Sequence, residues 1–76
     1  MNVKDLAAGV RRLQNDDVFC YIIESIKKDQ ANIFLNPHSS KEDRETAHEI
    51  VRGLSKIEGQ LATILQDEKI FDTKFD

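Results

Sequence analysis

The side chains able to do chemistry are few and scattered. His38 and His48 stand ten residues apart, and no cysteine pair accompanies them. A zinc site takes three or four ligands at motif spacing, so two solvated histidines and no bound metal are expected. Cys20 is the single cysteine. A nucleophilic thiol needs a lowered pKa and a base held beside it. No Cys–His signature surrounds Cys20, and its neighbours are Phe19 and Tyr21, which predicts a small buried or half-buried core thiol. Glu42, Asp43, Glu45 and Glu49 could form an acid–base cluster, with Glu45 and Glu49 on one helix face. Raising a carboxylate pKa takes a concave pocket, for which 76 residues leave little room. Acids at a helix start, where the helix dipole favours them, explain the same pattern. Gly9, Gly53 and Gly59 stand alone, so no phosphate-binding loop is present. No catalytic, metal or cofactor residue is expected, and the chain reads as non-enzymatic.

The remaining candidates are charges and apolar stripes. Arg11-Arg12 and Lys27-Lys28 are the basic pairs, and together they could contact nucleic acid or an acidic partner. The balance of 14 acidic against 11 basic residues, net −3, opposes strong non-specific nucleic-acid binding, which needs a basic face to neutralise phosphates. A helix-turn-helix reading expects a glycine in the turn and a polar recognition helix. The segment after Asn15-Asp16 carries Phe19, Tyr21, Ile22 and Ile23 instead. The stretch from Met1 to Arg12, with Lys4 and Asp5, has no apolar core of the kind a secretory leader uses. No run approaches the roughly 20 apolar residues of a transmembrane helix. A lone thiol fits a reducing, cytoplasmic setting.

The elements that would position these residues are helical, within a single domain spanning 1–76. Val3, Leu6, Ala7, Val10 and Leu13 recur at helical spacing and predict a first helix over about 3–14, capped by Asn2. The polar run Gln14-Asn15-Asp16-Asp17 reads as a break and a new cap. Phe19, Ile22, Ile23, Ile26 and Ile33 predict a second helix over about 17–35, with Glu24 placed to pair with Lys28. Pro37 disfavours helix at the residue before it, so a turn falls at Asn36–Ser40. Ser39 with Glu42, and Ser40 with Asp43, both offer a capping box for a third helix.

That third helix, about 40–66, is the dominant feature. Ala47, Ile50, Leu54, Ile57, Leu61 and Ile64 repeat at alternating spacings of three and four, a heptad seam. Val51 and Leu65 widen the stripe, and Glu58 interrupts it. An antiparallel hairpin would place Ile50 and Leu54 in its core. The second helix covers roughly 27 Å of a third helix roughly 40 Å long, leaving a surplus around Leu61, Ile64 and Leu65. Either the first helix folds back over that surplus or a second chain covers it. Gly53 flanks the seam, where it could admit another helix or mark a kink. The segment 67–76 reads as an acidic tail with Phe71 and Phe75 as anchors, in a helix or an extended arm.

The stretch SSKEDRETAHEIVRGLSKIEGQLATI, with Glu42, Asp43, Arg44, Arg52, Gly53, Leu54 and Ile57, resembles the second arm of helical hairpins in small phage-encoded proteins. The resemblance covers about a third of the chain. It implies a virion or DNA-packaging component, located in host cytoplasm or virion. The combined expectation is an all-α assembly module that contacts protein, as a homo-oligomer or within a larger complex, through Ile57, Leu61, Ile64, Leu65, Phe71 and Phe75. The alternative is a small regulator that binds DNA or the transcription machinery through Arg11, Arg12, Lys27 and Lys28.

Overall fold

A computed structural model describes residues 1–75, with side chains through Lys74. Three helices form, α1 (Val3–Gln14), α2 (Asp17–Leu35) and α3 (Lys41–Phe75). No strand occurs among the described residues. Each helix start is closed by a side chain that satisfies an otherwise unpaired backbone N–H. Asn2 accepts from the Asp5 amide at 2.8 Å, and Asp16 from the Phe19 amide at 2.7 Å. At α3 the two candidate serines are resolved in favour of Ser40. Its hydroxyl accepts from the Asp43 amide at 3.0 Å, and the Asp43 carboxylate accepts from the Ser40 amide at 3.2 Å. This is a reciprocal capping box with Asp in place of Glu. Asn36 adopts extended backbone ahead of Pro37 and ends α2.

α3 does not stop at Gln66. It continues without a break to Phe75, 35 residues in all, about 52 Å at 1.5 Å per residue. The expected tail is therefore helix, since nothing between Asp67 and Lys74 is a proline or glycine able to end it.

α2 runs antiparallel to the first half of α3, and the Lys27 ammonium meets Glu58 at 3.0 Å. α1 runs antiparallel to the second half. Lys4 pairs with Asp72, Arg11 with Glu68, and Leu6, Val10 and Leu13 line one groove with Leu61 and Ile64. α1 and α2 thus follow one another along a single side of α3, separated only by the break at Asn15-Asp16. The molecule is a long helical hairpin with one arm interrupted. Its dimensions are 56 × 22 × 18 Å and its radius of gyration is 16.6 Å, against about 11 Å for a compact domain of this length.

A hairpin offers each helix a single line of contact, and the core is correspondingly thin. Ala7, Val10, Ala47 and Leu54 are its buried apolar residues, and no large side chain among the described residues is fully buried. Leu54 lies in the core as the heptad pattern requires, whereas Ile50 is 38% exposed. The inward line of α2 is Phe19, Ile23, Ile26, Gln30 and Ile33, spaced four and three throughout. Gln30 is buried on that line, and its Oε1 finds no hydrogen-bond partner among the described residues. An unpaired buried amide oxygen costs about 1–3 kcal/mol. Gln30→Leu is therefore expected to stabilise the fold by about 1–2 kcal/mol, read as a higher urea midpoint at fixed protein concentration. A lower midpoint would mean that the amide is satisfied and contributes to register.

Candidate interaction surface

The two flanks of the hairpin differ in chemistry. One is bridged by ion pairs between the arms, with Val51 and Phe34 exposed beside them. Lys27 reaches Glu58 and, within its own helix, Glu24 at 3.7 Å. Glu24 thus pairs with Lys27, three residues on, and not with Lys28. Its hydrogen bond to Glu58 raises the Lys27 pKa above the ordinary lysine value. Partial burial opposes the shift, and the Glu58 and Glu24 charges add to it. Farther along the same flank, Arg11 and Lys4 converge on Glu68, Lys4 at 3.8 Å.

Glu68 is 8% exposed, and its position has a simple origin. Continuing the seam from Leu61 and Ile64 by four and then three residues lands on Glu68 and Phe71. A carboxylate therefore occupies a core position of the heptad, and it is tolerated there because α1 supplies two cations. The heptad count was available in the sequence. The partners were not, since Arg11 and Glu68 are 57 residues apart.

The other flank is apolar. On α3, Ile50, Ile57, Ile64 and Phe71 recur every seven residues, on the side away from Val51 and Glu58. Ile57 is 50% exposed and Phe71 40%, while Ile64 is half-buried. On the opposing arm, Leu6 and Leu13 lie on the side of α1 away from Lys4 and Arg11, facing Ile64 across the groove. Ile22 of α2 lies on the side away from Lys27 and is 49% exposed. This distribution follows from 3.6 residues per turn once the ion pairs fix the rotation of each helix.

The expected contact residues fall on both kinds of surface. Ile57 and Phe71 are outward. Leu61 and Ile64 are half-buried beneath α1 and the α1–α2 break, so α1 covers the surplus end of α3. Leu65 is half-buried, and the side chain of Phe75 lies outside the described residues. The basic residues do not assemble into one face. Arg11 and Lys27 are engaged with carboxylates across the hairpin, while Arg12 and Lys28 are exposed on separate helices.

The chemistry-bearing residues stay apart. His38, His48 and the four acids at the start of α3 are all exposed. No group of three metal-ligating side chains forms among the described residues. Cys20, expected in the core, is exposed instead, with its thiol donating to the Gln14 carbonyl at 3.3 Å. It sits one residue off the inward line, which passes through Phe19 and Ile23. No described helix is long and apolar enough to cross a membrane. No family of known proteins, no curated protein and no solved structure matches the chain.

Proposed function

We propose that this chain is a non-enzymatic protein–protein interaction module that works through the apolar flank of its hairpin. The observation that carries this reading is the asymmetry of the two flanks. Ion pairs bridge one side, where Val51 and Phe34 are 36% and 42% exposed beside them, while no bridging pair crosses the other, where Leu13, Ile22, Ile50 and Ile57 stay 38–50% exposed. Contiguous exposed apolar surface on a small chain marks an interaction site. A photo-crosslinking residue at Ile57 or Ile22, in the cells that naturally carry the gene, is expected to capture a protein. The same residue at Tyr21, which is 74% exposed on the outer face of α2, is expected to capture none. Equal capture at all three positions, or none, would count against the flank.

The finer reading is a phage structural or packaging component. It is supported by the resemblance of segment 39–64 to hairpins in small phage-encoded proteins. Mass spectrometry of purified virions and head intermediates from the same source tests it: absence of the chain from both removes that assignment and leaves the interaction module intact.

A further inference from the structure

We infer that the occupant of the apolar flank is a second copy of this chain, the two hairpins closing flank to flank into a four-helix bundle. The inference rests on the interaction-module reading and names its partner. The chain exposes 6122 Å², whereas a compact monomer of 8.7 kDa exposes about 4,700 Å². The excess is about 1,400 Å² per chain. That excess is spread over the whole rod, and two copies covering half of it along the flank would bury about 1,400 Å² in total, a standard-size interface.

The apolar columns run along both arms, from Leu6 through Ile22 on one and from Ile50 through Ile64 on the other. A peptide or a helix shorter than α3 would leave part of their length uncovered. A slab of the same length and width, related by a two-fold axis, covers both, and such an interface is self-complementary by construction. Ile22 and Ile57, 49% and 50% exposed, lie near the middle of the rod. A two-fold axis through the middle brings them to the centre of the interface. Gly53 borders the α3 column, and a Cβ there would meet nothing within 4 Å in the chain. The approaching hairpin would lie against that open backbone.

The test is sedimentation equilibrium of the full chain at micromolar concentration, alongside far-UV circular dichroism. The wild type is expected at twice the chain mass. Ile57→Glu places a like pair of carboxylates at the interface centre and is expected to weaken association at least a hundredfold, giving a helical monomer. Tyr21→Glu and Ile70→Glu alter exposed apolar residues on the outer faces and are expected to remain dimeric. A wild type that stays monomeric at hundreds of micromolar overturns the second copy. So does an Ile57→Glu chain that remains a dimer, or an outer-face variant that dissociates equally. If Ile57→Glu loses its helix signal, Ile57→Ser gives the same comparison. In-cell capture of a different protein at Ile57, with a monomeric wild type, would leave the interaction module standing and remove only the self-association.

Discussion

Leu54→Ala is expected to cost about 2–5 kcal/mol, the range for removing a buried leucine and leaving a cavity. Among the described residues Leu54 is the one large apolar side chain of α3 in the core, 7% exposed, and its buried companions include two alanines. It also lies where Phe34, Ala31 and the Lys27 stem close over α3 from the α2 side. A chain of 76 residues has a total stability of about 4–11 kcal/mol, so the variant should lose a large share of it. Thermal and urea unfolding at matched concentration read the effect, because self-association would add to apparent stability. Val51→Ala removes a similar group from a position 36% exposed and is expected to cost less than about 1 kcal/mol. Equal losses for the two would mean that the hairpin has no seated core at Leu54.

The second large effect concerns α1. Arg11→Ala leaves the buried Glu68 carboxylate with Lys4 alone, at 3.8 Å. Stranding a buried charge costs about 3–5 kcal/mol, reduced here because Arg11 is 51% exposed and Lys4 stays close, and α1 has little apolar area with which to compensate. Ala7 and Val10 are its buried residues, and Leu13 is 42% exposed. The expected outcome is local: amides of α1 lose hydrogen-exchange protection while those of α2 and the first half of α3 keep it. The double variant Arg11→Leu/Glu68→Leu should restore protection, because no carboxylate is then left in the seam without its partner, although Arg11 itself is 51% exposed. Protection of α1 unchanged in Arg11→Ala would show that the pair does not hold it.

The Arg11–Glu68 pair also marks a limit of reading the sequence alone. Heptad spacing identified Leu54 as core and located the seam through Ile64. The same count reaches Glu68 and Phe71, but the acidic, polar character of 67–76 reads as a tail. Only the cations of α1, brought from the far end of the chain, make that position tenable. Gln30 was obscured in the same way, as a polar residue on a line otherwise drawn in isoleucine and phenylalanine.

What the sequence alone determined is local. Helix identity, the first two helices from Val3 to Gln14 and from Asp17 to Leu35, the break at Asn15-Asp16 and the turn at Pro37 all follow from capping, proline and periodicity. Those effects act within a few residues and need no partner. Tertiary structure decided where α1 lies and how far α3 runs as an element with a packed face. It also decided which side of each helix is left uncovered. Those outcomes depend on the rotation of one helix against another, set here by Lys27–Glu58, Arg11–Glu68 and Lys4–Asp72. Rotation about a helix axis is a relation between segments distant in sequence, and no local propensity encodes it.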